Sequence, residues 1–351
     1  MKRTKKTTAS PAVDLVALAD IVERFPSRTI VLLGDFVADV FQYGDIARVS
    51  REAPVLILRH RETQIVPGGG ANAANNFASL GAKVIPITAV GDDDAGAHLV
   101  NAFRERQIDT SRIVRAKAWT TPTKTRFLAG WAHTVAQQVL RVDYDPAHPL
   151  SASDRKKLRS HLLAKIARAD ALAISDYGLG VVHLPDLRDA IARIKKQIPI
   201  TLDSRYRLTD YKRAGITAAT PNEAEMETLH HTVIGKNLAE LERCASVTLS
   251  DLKLRSLLVT RGKDGMALFQ QSSLPAHIPI HGSDQAVDVT GAGDTVLAAY
   301  TLALSSGATP LEAAHIANVA GGLVVMKRGT ATVSRAELLE AIHNSVSQAT
   351  P

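Results

Sequence analysis

Apolar residues recur at helical spacing over residues 13–25, and Pro26-Ser27 interrupts that run, so a helix is predicted there. Residues 29–33 form a short apolar run, β-branched in its first three positions and ending in Gly34-Asp35, as a buried strand meeting a loop does. Strand-like and helix-like segments then alternate. Residues 83–90, 169–174, 198–202 and 257–260 read as strands. Residues 95–106, 184–197, 293–304, 311–325 and 335–346 read as helices, with Pro185 in the first turn of its helix. Such alternation predicts right-handed crossovers and a mostly parallel sheet with helices on both faces, a three-layer α/β/α sandwich. Two stretches, about 40–66 and 119–144, carry short strand-like runs with no helix between them. They predict a small lobe of antiparallel strands outside the main sheet.

Composition narrows the class without changing the fold. The 351 residues are 45% hydrophobic and 22% charged, which excludes global disorder and suits one large α/β unit. No apolar run is long enough to span a membrane, and the basic start leads into Pro11 and not into a signal core. The single Cys244 cannot form an internal bridge, which points to a reducing, cytoplasmic setting. Removing Lys2, Arg3, Lys5 and Lys6 from the net charge of +7 leaves only +3. Residues 1–12 therefore read as a flexible basic tail and 13–351 as the folded unit, with neither a nucleic acid nor a membrane as partner.

The segment richest in chemistry is Asp288-Val-Thr-Gly-Ala-Gly-Asp294-Thr295, followed by an apolar run. Gly291, Ala292 and Gly293 open a helix, where small residues let backbone amides approach an anion and the helix dipole favours negative charge. Asp294 falls in the first turn, placed to take a proton from an attacking hydroxyl, although an acidic residue there also serves the dipole alone. A third glycine of a dinucleotide fingerprint is missing at Val296, and no Walker A loop occurs. Phosphate chemistry here would proceed without a P-loop.

Pro67-Gly-Gly-Gly-Ala-Asn72 runs into an alanine-rich helix, so it is either a close-approach ligand loop, with Asn72 suited to vicinal hydroxyls, or a tight turn. Asp35, Asp39 and Asp176 follow predicted strands, where open α/β sheets bind ligands, and each is either a hydroxyl acceptor or a loop cap. Asn222 and Glu225 have the spacing of an N-cap and its capping box; the alternative is a pair that orders water around Mg²⁺. The histidines, His230-His231 included, show no zinc spacing.

Together these segments become recognisable. Gly68–Ala74 followed by Gly81 and Gly91 resembles the N-terminal signature of the ribokinase-like (phosphofructokinase B) carbohydrate kinases. The stretch Asp288–Asp294, about 220 residues on, resembles their C-terminal one, and Asn222-x-x-Glu225 their metal-associated motif. The resemblance covers about residues 28–345. Within the family, four stretches are similar to the kinases of D-glycero-β-D-manno-heptose 7-phosphate: 43–55, 137–143, Ser175-Asp176-Tyr177-Gly178 and 327–334. Bifunctional members carry a nucleotidyltransferase domain after the kinase, and this chain, ending at Pro351, is expected to hold the kinase alone.

The resemblance implies ATP-dependent phosphorylation of a sugar or sugar-phosphate hydroxyl, with Mg²⁺ and K⁺. Asp294 would be the base, and the amides of Gly291, Ala292 and Gly293 would hold the transferring phosphoryl. Asp39, Gly69, Gly70, Asn72, Arg141 and Asp176 would line the acceptor pocket. Asp203, Asn222, Glu225, Thr260, Gly262, Gly265 and Asn318 would lie near the nucleotide. Asn222 and Glu225 would place Mg²⁺ through water, and Asp288 and Thr290 would adjoin K⁺. The lobe strands would form a lid and pair two copies as a homodimer. Two departures stand out: Leu179 takes the place of a lysine, and Asp203-Ser204-Arg205 replaces Asp-Pro-Lys. Lys124, Arg126 and Arg141 would either hold a substrate phosphate or be solvated strand residues. Another acceptor (a hexose, ribose, a nucleoside or fructose phosphate), a sugar sensor without turnover, and a nucleic-acid binder remain the alternatives.

Overall fold

The computed structural model describes residues 13–131, 136–205 and 207–349, without the side chains of 346–349. The expected basic tail, 1–12, lies outside the described residues. Nine strands form the main sheet. Within it β1 (Thr29–Gly34) is flanked on one side by β4 (Lys83–Gly91) and the edge strand β5 (Ile113–Ala116). On the other side follow β8 (Ala171–Asp176), β9 (Ile200–Ser204), β10 (Ala218–Ala219) and β11 (Ser256–Thr260). These seven pair in parallel. At one edge β12 (Met266–Gln270) runs opposite to the rest, and β13 (Ala276–Ile278), antiparallel to β12, returns to the common direction.

The central strands are apolar without a break because both faces are covered. Successive side chains of β1 alternate between two cores: Ile30 and Leu32 pack with Phe77, Phe103 and Tyr300, while Val31 and Leu33 pack with Leu158, Leu187 and Leu249. Each core is roofed by helices, which makes the predicted three layers. Helix 184–197 is shorter than expected. It closes at Ala192, where the Arg193 amide caps it on the carbonyls of Ala190 and Ile191, and the chain turns towards β9.

The second sheet has four strands in the order β3 (Leu56–Gly69), β2 (Phe36–Val49), β6 (Thr123–Gly130), β7 (Gln137–Tyr144). It departs from the antiparallel lobe expected, because its central pair, β2 and β6, is parallel. The reason is topological. β2 continues from β1 and β6 follows β5, and both leave the carboxyl edge of the same parallel sheet, so they run outwards together. This small sheet stands beside the carboxyl ends of β1, β8 and β9, where crevices of open α/β sheets lie.

Candidate active site

The helix Ala292–Ser305 points its amino end into that crevice. Gly291 caps it with φ +78°, a left-handed conformation, and a Cβ there would lie 2.4 Å from the Asn72 amide nitrogen. Of the three expected phosphoryl-holding amides, that of Ala292 already closes the turn onto the Val289 carbonyl at 3.2 Å. Asp294, in the first turn, is buried. Asn72 donates to its Oδ2 at 2.8 Å, and the Tyr177 hydroxyl lies 3.4 Å from its Oδ1. Burial pushes the Asp294 carboxyl up to about 7; the Asn72 hydrogen bond opposes this and the charge of Asp39 adds to it. Asn72 is expected among the acceptor groups, but its donor is spent on Asp294. It is braced by Asn76, whose own amide oxygen accepts from Thr295 at 2.8 Å, so the helix Gly70–Ser79 is bolted to the one bearing Asp294.

A cavity of about 730 Å³ opens from this point along the carboxyl edge of the sheet. It brings together Asp176, Asp203, Asn222, Glu225, Thr260, Gly262, Gly265, Thr290, Gly291, Ala292, Gly293 and Asn318. Asp203 faces the glycine turn, its Oδ2 lying 3.8 Å from where a Gly293 Cβ would stand. Burial, followed by the charge of Glu225, drives the Asp203 carboxyl well above its ordinary range, and burial raises Glu225 as well. Asn222 and Glu225 do form a capping box: Asn222 Oδ1 accepts from the Glu225 amide at 2.8 Å, and Glu225 Oε2 from the Asn222 amide at 3.0 Å. Capping leaves Glu225 Oε1 and the rest of the Asn222 amide free of the box, so the two readings of this pair are compatible. Asn318 donates to the Pro279 carbonyl at 2.8 Å and fixes the far wall.

Several lining groups carry no sequence signal. Met266, Ile280, Val289, Val296 and Val325 form an apolar wall drawn from five separate segments. The Thr220 hydroxyl is buried without a partner among the described residues. Arg261 is held by Glu223 at 2.6 Å. Only Arg205 had a signal, standing two residues after Asp203 and so on the same side of an extended chain.

The lid side is more charged. Register sets Asp39, Lys124 and Asp143 in one cross-strand row and Phe41, Arg126 and Arg141 in the next, on a single face. Arg126, part-buried, pairs with the buried Asp39 at Oδ1, 2.6 Å away. Asp39 Oδ2 sits where a Gly68 Cβ would be, 2.2 Å away, so only glycine admits that carboxylate. Arg141 is engaged bidentately by Asp143 and remains half exposed. The Lys124 ammonium lies 5.0 Å from the centre of the Tyr177 ring, and burial lowers its pKa. Gly69 and Gly70 make the turn below, with the Gly70 amide on the Asp35 carbonyl at 3.0 Å.

Asp35 and Asp176 both brace the structure internally, and Asp176 also lines the cavity. Asp35 accepts from the amides of Tyr177, Leu179 and Val181 at 2.9, 3.0 and 2.9 Å. Burial and the neighbouring Asp176 push it up to about 6. Asp176 accepts from the Tyr211 hydroxyl at 2.6 Å and the Gly178 amide at 2.9 Å. Leu179, where a lysine is expected, anchors the loop by its amide and does not line the cavity.

The donor set fits a hydrated divalent ion. Asp203 and Glu225, both part-buried, line the same cavity with raised pKa, and no group of three or more ligating side chains that could hold a metal directly occurs among the described residues. Asp288 ties its loop together, its two oxygens accepting from the Thr290 and Gly329 amides at 2.9 Å each.

The pfkB family carbohydrate kinase model matches residues 27–337. The chain belongs to that family. This carbohydrate kinase is 35% identical over 332 residues to the bifunctional protein HldE of Pelobacter propionicus, covering 94% of this chain and 66% of that one. It is 39% identical over 320 residues to HldE of Gluconobacter oxydans, with coverages of 91% and 65%. It therefore spans just under two thirds of the length of these relatives. Among solved structures, phosphofructokinase-2 of Escherichia coli in complex with potassium superposes with a TM-score of 0.73 at 21% identity, over 90% of this chain and 98% of that one. Ribokinase of Arabidopsis thaliana, complexed with ribose and ATP, gives 0.69 at 20% identity, again over 90% and 98%. At such identities these two establish the ribokinase-like fold. No helix among the described residues is long and apolar enough to cross a membrane.

Proposed function

We propose that this kinase transfers the γ-phosphoryl of ATP to a hydroxyl of a sugar that already carries a phosphate, D-glycero-β-D-manno-heptose 7-phosphate. One observation supports the phosphorylated acceptor above others: Lys124, Arg126 and Arg141 form a cationic face on the lid, beside Tyr177 and the base. Asp39 pairs with Arg126 and Asp143 with the half-exposed Arg141, so the face keeps one surplus positive charge, at Lys124, and an anionic phosphate is its natural complement. The four stretches similar to heptose 7-phosphate kinases favour that sugar.

Asp294 takes the proton of the attacking hydroxyl. The amides of the 291–293 turn and the helix dipole stabilise charge on the transferring phosphoryl. ATP lies along the cavity, its base against the apolar wall near Asn318 and its phosphates towards Gly293, with Asp203, Thr260, Gly262 and Gly265 around it. Mg²⁺, when bound, neutralises phosphate charge, and Asn222 and Glu225 would hold it through water. The lid sheet covers the acceptor and excludes bulk water.

ADP release should be measured with MgATP against the heptose 7-phosphate, fructose 6-phosphate, ribose and fructose. Turnover is expected with the heptose phosphate. Activity confined to an unphosphorylated sugar would overturn the phosphate-binding role of the lid cations, and activity on fructose 6-phosphate alone would overturn the choice of sugar.

A further inference from the structure

The two oxygens of Asp294 are not held alike. Oδ2 takes a short bond from Asn72, itself fixed by Asn76, whereas Oδ1 faces the Tyr177 hydroxyl at 3.4 Å. A long, readily exchanged contact marks Oδ1 as the oxygen that can accept a proton. We propose that Tyr177 is a positioning residue that occupies this oxygen until the acceptor arrives, so that water cannot use it. The proposal rests on Asp294 being the base.

The surroundings of Tyr177 suit that task. Its amide is fixed on Asp35 Oδ2 at 2.9 Å, and the same carboxylate holds the next turns of the loop, so the ring is delivered from a rigid base. A side chain on Gly69 would press on the ring edge, with a Cβ 3.2 Å from Tyr177 Cε2. The Lys124 ammonium lies over the ring at 5.0 Å, within cation–π range. Lys124 also belongs to the cationic face proposed to meet the acceptor phosphate. One aromatic ring thus touches both the phosphate-seeking cation and the base. Binding of the acceptor phosphate draws Lys124 from the ring as the acceptor hydroxyl replaces the phenol at Oδ1.

The phenol remains a donor throughout, because burial and the charges of Asp294, Asp203 and Asp39 drive its pKa well above the ordinary value. The charged groups facing Asp294 are Asp39 from β2, Lys124 from β6 and Asp203 from β9. In productive turnover the acceptor proton passes to Oδ1, the new O–P bond forms and the bond from phosphorus to the ADP oxygen breaks. With water in place of the acceptor, the same exchange yields inorganic phosphate and ADP.

Tyr177→Phe keeps the ring and removes only the hydroxyl. ADP release with MgATP is measured with and without acceptor, and kcat/KM is followed across pH. Titration calorimetry with ATP confirms that the variant retains its folded cleft. Acceptor-independent hydrolysis should rise several-fold relative to transfer. The acidic limb should move upwards by about half a pH unit, the size expected for losing one long hydrogen bond to a carboxylate. A variant that binds ATP with an unchanged ratio of hydrolysis to transfer overturns the proposal. Asp294→Asn in parallel separates the two layers: if it keeps wild-type turnover, the assignment of the base fails, independently of Tyr177.

Discussion

Asp294 sits in a helix turn that favours a negative charge, yet burial outweighs the dipole and the Asn72 donor and pushes its carboxyl up to about 7. A base must be ionised, so kcat/KM should rise with pH through this value and flatten above it, with slope one on the acidic side. The sign for stability is opposite. The folded pKa exceeds the ordinary 3.8, so the protonated form is favoured by folding, and Asp294 contributes stability that is lost as pH climbs from about 4 to about 7. Asp294→Asn should therefore lower kcat by roughly 10²–10⁴-fold while ATP still binds. The same variant should melt higher than the parent at pH 8, with the gap closing towards pH 5. A variant with no gain at pH 8 would show that the carboxylate is stabilised by its neighbours after all. The glycine turn and Asp294 were legible because they are contiguous. Their partner Asn72 was visible only as a motif residue, because its hydrogen bond spans 222 positions and nothing local encodes it.

At the scale of elements, what could be read depended on how many faces each one buries. β1, β4 and β8 are covered on both sides and show as apolar runs. β2 and β3 each extend 14 residues, but β3 is mostly exposed along its length, so only short pieces were visible. The helix Ala152–Ile166 has no counterpart in the periodicity reading, because it buries only Leu158, Leu162 and Ile166, a stripe too narrow to stand out among its charges. Asp35 illustrates the same limit at a joint. As a sequence feature it is a ligand carboxylate or a loop cap, and the deciding fact is a loop 142 to 146 residues away whose three amides it receives. Asp35→Ala would leave those buried or half-buried amides unpaired, at about 1–3 kcal/mol for each group that water cannot reach. The expected result is a lower melting temperature together with a reduced kcat, since the loop carries Tyr177. Loss of stability with kcat intact would mean that the loop finds its position without this anchor.

Across the whole molecule, the lid sheet is the part least able to stand alone. It has two outer strands, β3 and β7, and it exposes Val49, Leu56, Val139, Leu140 and Tyr144, each more than 40% accessible. Unpaired strand edges beside apolar side chains are a template for another strand, and isolated small sheets gain stability by being covered. A second copy of the chain presents the same edges and the same residues, so a two-fold pairing of lids would cover both at once. A homodimer is the expected state in sedimentation equilibrium. Replacing Val139 and Leu140 together with lysine should shift it towards monomer. The cavity that would take ATP is built on the main sheet and on the helices at its carboxyl edge, so ATP affinity should be retained in the monomer. The acceptor contacts proposed above lie on β2 and β6 in the lid, so KM for the acceptor should rise instead. A parent chain that sediments as monomer at every concentration would leave those edges as ordinary exposed strands, and a dimer unmoved by the double substitution would place its interface elsewhere.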